Sequence, residues 1–421
     1  VVALVATGVT VAGPPLARQI GFDVGLPWND HIDEPCPQTR VEITVAPELA
    51  EAVSAVVQPL QGSKLADGHC IDPVVTSQTA PEIVRKSEVL PAERAPQLWI
   101  PESSLWERQL ERWPLQSEGS FASSPLVVAT SEAVVARLGW TAQPPTWAQA
   151  LSDVRSLAIP SLQNNAAGVL SVLGLWQSLG QTSAADEAVT AAVLASSRST
   201  APTPSFVIDK AATNDPATPL LVTSEANVFS TNRTKESSRL VAVYPQNGSP
   251  SLDYPMLRIA PRSQSSSRSI ATDTVISALK ATSAREFVRL AGLRDASGDS
   301  PGGAGLSTTR VNTLEIPDPA DTTAFLERLQ SLIRPSRLSI AVDVSGSMRT
   351  FFGGSLTRLQ LAGRAATAAS DLLPDQSSIG LWVFSRNLPD SPPQTHFRQL
   401  DKLLPVGLAE AGRTHREVVN A

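Results

Sequence analysis

Histidine and cysteine are scarce in this chain of 421 residues, at four and two. His31, His69, His396 and His415 are scattered and join no constellation of metal-ligating or nucleophilic side chains. The short patterns that carry catalysis are missing as well: there is no Gly-x-Ser-x-Gly elbow, no His-Glu-x-x-His and no Gly-x-x-x-x-Gly-Lys phosphate loop. Gly303-x-Gly305 lacks the strand before it and the helix after it that a dinucleotide fingerprint requires. The chain is therefore read as a non-enzyme. An excess of positive charge is also missing. With 34 basic and 40 acidic residues, a net charge of -6 and a pI near 5.4, there is no electrostatic footprint for a nucleic-acid backbone or an anionic membrane surface. No internal repeat is visible. What remains is ordinary for a soluble α/β protein: 42% hydrophobic and 18% charged residues, and length enough for two or three domains with proper cores.

The first thirteen residues form an uncharged, mostly apolar run that breaks at Pro14-Pro15. A membrane span needs about 20 apolar residues. The run is accordingly read as the end of a longer N-terminal anchor or signal segment, with 14–39 as linker; a short buried helix is the alternative. Cys36 and Cys70 each stand just before a strand-like run, 41–45 and 71–75. Strands joined by a βα crossover are often neighbours, so their starts can lie within disulfide reach. A bridge implies an oxidising compartment, in keeping with export; two free buried thiols are the alternative.

From residue 40 onward, strand-like runs alternate with amphipathic helical stretches, which argues for a parallel-rich α/β fold. Several phrases stand at strand ends: Val45-Ala46-Pro47-Glu48-Leu49, Trp99-Ile100-Pro101-Glu102-Ser103-Ser104, Phe121-Ala122-Ser123-Ser124-Pro125-Leu126, and Leu252-Asp253-Tyr254-Pro255. This order and these phrases resemble the two-lobed extracytoplasmic solute-binding proteins of ABC-type transporters. The resemblance covers 40–297 and implies lobe 1 over about 40–128 and 248–297, with lobe 2 over about 129–247. It implies a cleft lined by Pro47, Glu48, Glu102, Ser103, Ser104, Ser123, Ser124, Asn164, Asn165, Ser224, Glu225 and Tyr254. Exposed amides at helix starts suit an anion, so a small polar ligand or oxyanion is expected there. The same Ser, Asn and Pro residues also serve as ordinary caps in any α/β domain.

A Gly- and Ser-rich stretch after residue 297 and an amphipathic helix over 321–333 read as a flexible junction spanning 298–335. Beyond it, the apolar run 338–342 reads as a parallel strand covered on both faces, ending in Asp343-Val344-Ser345-Gly346-Ser347. One carboxylate and two hydroxyls on a turn are hard oxygen ligands. They suit Mg²⁺, with Mn²⁺ or Ca²⁺ as alternatives, and not zinc. The Asp-x-Ser-x-Ser pattern of Asp343, Ser345 and Ser347, followed by a helix and a second strand, resembles the metal-ion-dependent adhesion site of von Willebrand factor A domains. That family holds a partner's carboxylate on the metal and completes the site from later loops; Thr414 reads as the start of the next helix instead. The expected fold class is thus α/β: a type II periplasmic-binding-protein-like domain of two lobes, then the first half of a Rossmann-like von Willebrand A domain over 336–421. The pairing is similar to an actinobacterial cell-envelope arrangement. It implies a membrane-anchored, extracytoplasmic scaffold that engages a protein partner through metal; a true transporter receptor for a small solute is the alternative.

Overall fold

The computed structural model describes residues 36–150, 157–197, 204–234, 240–261, 264–316, 319–386, 388, 395–407, 409–410 and 413–420. The N-terminal segment 1–13 and the linker up to residue 35 lie outside these residues. No helix among the described residues is long and apolar enough to cross a membrane.

Along the chain run β1 (Gln38–Val45), α1 (Ala50–Val57), β2 (Cys70–Ser77), α2 (Ala80–Val89), β3 (Leu98–Ile100), β4 (Leu115–Ser120), β5 (Ser124–Ser131), α3 (Glu132–Arg137), α4 (Trp147–Ala150) and β6 (Leu157–Ala158). There follow α5 (Ala166–Ser178), α6 (Ser183–Ser196), α7 (Pro204–Ala212), β7 (Leu220–Ser224), α8 (Glu225–Thr234), β8 (Leu240–Val243), β9 (Ser251–Leu252), β10 (Pro255–Ile259), α9 (Ser266–Lys280) and α10 (Ala284–Leu290). They build two mixed five-stranded assemblies. The first has strand order β2-β1-β3-β10-β4, with β1, β2 and β3 parallel and β10 antiparallel to both neighbours. The second has order β6-β7-β5-β8, with β9 paired to the start of β5.

The central strands are those whose sequences bury on both faces. All three residues of β3 and all eight of β5 are buried, as a strand covered on two sides requires. In β1 the first half alternates, with Thr39 and Val41 inward, while the last three residues are buried whichever way they point. Helix α5 is apolar nearly all round, with ten buried residues, and forms the spine of the second lobe. Cys36 and Cys70 are joined, with Cα atoms 5.5 Å apart. The parallel register that sets Gln38 opposite Cys70 brings them within reach.

The chain passes between lobes at 121–123 and again at 253–254, where β4 gives way to β5 and β9 to β10. Strand β5 pairs wholly within the second sheet from Ser124, and 251–252 still pair there, so the crossings stand at 121–123 and 253–254 beside the expected lobe limits of about 128 and 248. The two crossings are side by side, since the Phe121 amide donates to the Tyr254 carbonyl at 3.0 Å.

The stretch after residue 297 is not a free linker. Arg294 and Ser123 exchange backbone hydrogen bonds at 2.9 Å, the Ala242 amide donates to Gly305 O at 2.8 Å, and Leu314 N to Ser249 O at 2.9 Å. Residues 294–314 are thereby laced to the second lobe. Helix α11 (Pro319–Leu332) continues this, with Phe325 stacked on Trp176 of α5 at 4.6 Å and Arg328 paired with Asp186 of α6 at 2.7 Å. It leads straight into a smaller sheet of β11 (Arg337–Asp343), β12 (Ser378–Phe384) and β13 (Phe397–Pro405), with α12 (Arg358–Leu372) crossing between the parallel β11 and β12. Strand β11 is not buried on both faces as expected. It lies at the sheet's edge, with Ser339 and Ala341 exposed and Leu338, Ile340 and Val342 half-covered.

Candidate functional site

A cavity of about 400 Å³ opens between the lobes. Lobe 1 contributes Pro47 and Glu48 just after β1, Thr79 and Pro81 at the start of α2, and Glu102 just after β3. Lobe 2 contributes Asn164, Asn165 and Ala167 at the start of α5, Thr223 and Ser224 at the end of β7, and Asn227 and Ser230 from α8. Most of these residues stand where a strand ends and a helix begins, the place where open α/β sheets gather ligands. Gly168 makes the α5 wall possible: a Cβ there would lie 2.5 Å from Ser161 O and 2.6 Å from Pro160 O.

Two glutamates dominate the lobe 1 wall. The Tyr254 hydroxyl donates to Glu48 Oε1 at 2.8 Å, and the Trp106 indole N–H donates to Glu102 Oε1 at 2.7 Å. Tyr254 is fully buried and sits at a lobe crossing with φ +38°, the left-handed region that costs any non-glycine residue strain. Burial, followed by the neighbouring Glu48 charge, pushes the Tyr254 hydroxyl well above its usual range. Burial likewise raises the Glu102 carboxyl, assisted by the Glu48 charge; its own amide, the Trp106 N–H and the Ala166 amide of α5 oppose the rise. Glu102 thus reaches from one lobe toward the helix start of the other.

The helix starts around the cleft are capped by the protein itself. Asn165 Oδ1 accepts from Ala167 N at 2.9 Å, Ser124 Oγ from Ala226 N at 3.0 Å, and Ser224 Oγ from Asn227 N at 3.2 Å. Asp253 Oδ1 accepts from Ser104 N at 2.9 Å, Ser103 Oγ from Leu105 N at 3.3 Å, and Glu82 Oε2 from Thr79 N at 2.9 Å. Asn165, Ser224 and Ser103 act as local N-caps, Glu82 closes a capping box with Thr79, and Ser124 and Asp253 reach their amides from distant parts of the chain.

Of the twelve residues expected to line a cleft, Pro47, Glu48, Glu102, Asn164, Asn165 and Ser224 do so. Ser103, Ser104, Ser123, Ser124, Glu225 and Tyr254 do not, because they are taken up in caps and crossings. Glu225 differs most from expectation. It is fully buried and gripped by Arg294, whose Nε reaches Oε2 at 2.8 Å and Nη2 reaches Oε1 at 2.7 Å, while the Tyr244 hydroxyl donates to it as well. That pair fastens the second lobe to the 294–309 segment, since Arg294 also donates to Thr309 O at 2.9 Å. Thr79, Pro81, Thr223, Asn227 and Ser230 are among the cleft residues that sequence reading missed. Only Thr79 carried a signal, as the cap of a capping box with Glu82.

At the carboxyl end of β11, the Ser345 amide donates to Asp343 Oδ1 at 2.8 Å, and the Ser345 and Ser347 hydroxyls lie 3.1 Å apart. The three hard oxygens expected as metal ligands therefore share one turn. Hard oxygens of this kind suit Mg²⁺ better than zinc. No group of three or more His, Cys, Asp or Glu side chains among the described residues is arranged to hold a metal, so this turn rests on its hydroxyls. Thr414 caps α13 (His415–Val419), its hydroxyl accepting from Glu417 N at 3.3 Å.

No protein-family model matches the sequence, and no curated protein matches it. Solved structures do match in fold. An iron-and-citrate complex of Trichodesmium IdiA (FutA) aligns with a TM-score of 0.51 at 8% identity, covering 70% of this chain and 98% of its own. A periplasmic thiamin binding protein aligns with a TM-score of 0.50 at 8% identity, covering 70% of this chain and 96% of its own. The chain is similar in fold to periplasmic binding proteins of the two-lobed type II class.

Proposed function

We propose that the two-lobed domain is an extracytoplasmic receptor that closes on a small polar ligand. The observation that carries this reading is the cavity of about 400 Å³, formed jointly by strand ends and helix starts of both lobes. That size lies in the range of small-molecule sites. The fold is similar to that of an iron-and-citrate-binding protein and a thiamin-binding protein, which supports the same direction. The Cys36–Cys70 bridge supports an oxidising compartment, and attachment to a membrane through residues upstream of the described ones belongs to this proposal. A thermal-shift screen of the full chain against oxyanions, sugars, amino acids and amines tests it. A ligand at 100 times its Kd adds about 2.7 kcal/mol to stability and raises the melting temperature. A flat response across all four classes refutes the receptor.

The C-terminal unit supports a second reading, on a separate observation: Asp343, Ser345 and Ser347 share one turn at a strand's carboxyl end. In this reading the unit is the first half of a von Willebrand A domain, and the turn holds Mg²⁺, with Mn²⁺ or Ca²⁺ as alternatives. The bound ion would attract a carboxylate of a protein partner in the cell envelope. Asp343 would supply charge, and the two hydroxyls would supply neutral oxygens that leave the ion electrophilic. The described residues carry the receptor reading further than the scaffold reading, because the cavity is complete within them.

A further inference from the structure

Resting on the receptor reading, we infer that the cleft selects a small organic cation bearing N–H donors, an ammonium or guanidinium group, and rejects oxyanions. Three observations converge on this class.

The first is the charge of the wall. Glu48 and Glu102 line the cavity, and among the described residues no Lys, Arg or His does. An anion in this space would face two carboxylates without a compensating side chain. The second is the state of the helix starts, whose backbone amides are where an anion would be drawn. The amides of Ala167, Ala226, Asn227 and Thr79 are already engaged by the protein's own oxygens. Pro47, just after β1, and Pro81, in the first turn of α2, have no N–H to offer. An oxyanion would have to displace caps, whereas a cation leaves them intact. The Ala166 amide faces Glu102, so even that donor serves a carboxylate of the protein.

The third observation concerns what remains unsatisfied. Glu48 Oε1 accepts from Tyr254, and no described residue donates to its Oε2. Glu102 is partly buried beside it, and burial and the Glu48 charge disfavour its ionised form. A positive group between the two carboxylates would stabilise both and complete the acceptor set. Asn164 and Asn227 add side-chain oxygens able to accept from further N–H groups. The wall contains no aromatic ring, so the cation is held through its N–H donors and not by a cage of ring faces.

Calorimetry and thermal shift on the full chain test this with four probes at neutral pH: 1,4-diaminobutane and agmatine as cations, sulfate and citrate as anions, beside a neutral hexose. The expected result is binding of at least one cation and of neither anion. Glu48→Gln and Glu102→Gln are each expected to weaken that binding by about tenfold or more, the effect of losing a charged acceptor, without lowering the melting temperature of the free protein. Binding is also expected to weaken as pH falls, because a proton on Glu102 competes with the ligand. Binding of sulfate, citrate or the hexose that survives both substitutions overturns the cationic class and leaves a receptor. No binding of any probe, together with a flat wider screen, overturns the receptor reading as well.

Discussion

Glu102 joins both lobes, and its titration reports on their closeness. Its folded-state carboxyl is raised from the ordinary 4.5, first by burial and then by Glu48. Below 4.5 the folded and unfolded chains both hold this proton. Between 4.5 and the raised folded value the folded chain still holds it while the unfolded chain has released it, so this group's contribution to stability falls as pH rises through that window. Glu102→Gln removes the titration. The variant is expected to gain stability relative to the natural chain across the window and to keep that gain above it. Urea midpoints for both proteins from roughly pH 4 to 8 check this. Parallel curves would mean that Glu102 is as well solvated in the folded state as in the unfolded one.

At the scale of elements, α11 shows how a segment acquires a role that local composition conceals. Residues 298–316 are rich in Gly, Ser and Pro and read as a loose tether, yet Arg294, Gly305 and Leu314 hold them to the second lobe through bonds to partners far away in sequence. Phe325 and Leu329 then bury against α5 and α6, so α11 completes the lobe's core. Phe325→Ala deletes a nearly buried ring stacked on Trp176 and is expected to cost about 3–5 kcal/mol, read as a lower denaturant midpoint. An unchanged midpoint would restore the tether reading. The alternation of strands and helices was legible throughout, because apolar period and helix-start residues are local signals. So were Pro47, Glu48, Glu102, Asn164, Asn165 and Ser224, since strand ends in such folds converge on one cleft. Ser103, Ser124 and Glu225 occupy equivalent places but turn inward to caps and to Arg294. Backbone register decides that, and one sequence does not print it. The half-exposed β11 has the same origin, because strand hydrophobicity does not reveal which neighbours will cover it.

At the scale of the whole molecule, the two proposed sites stand in series along the chain. The cleft lies between the lobes, α11 is fixed to the second lobe, and only a few residues separate α11 from β11, which ends in the Asp343 turn. In the receptor reading, closure would turn one lobe against the other about the crossings at 121–123 and 253–254, and the α11 contacts would keep the start of the C-terminal unit with the second lobe. The Asp343 turn is at the far end of β11 from α11, and among the described residues the Asp343 side chain bonds only within its own turn, to the Ser345 amide at 2.8 Å. Asp343→Ala is therefore expected to leave the melting temperature within about 0.5 kcal/mol of stability, as for substitutions outside a core, and to leave the cleft's thermal-shift response intact. The same change is expected to abolish Mg²⁺-dependent capture of a protein partner by the full-length protein, as chelation does. Capture that survives both Asp343→Ala and chelator would reduce the Asp-x-Ser-x-Ser turn to a helix start. A cleft response lost in this variant would mean instead that the two sites are coupled through α11, which their separation along β11 argues against.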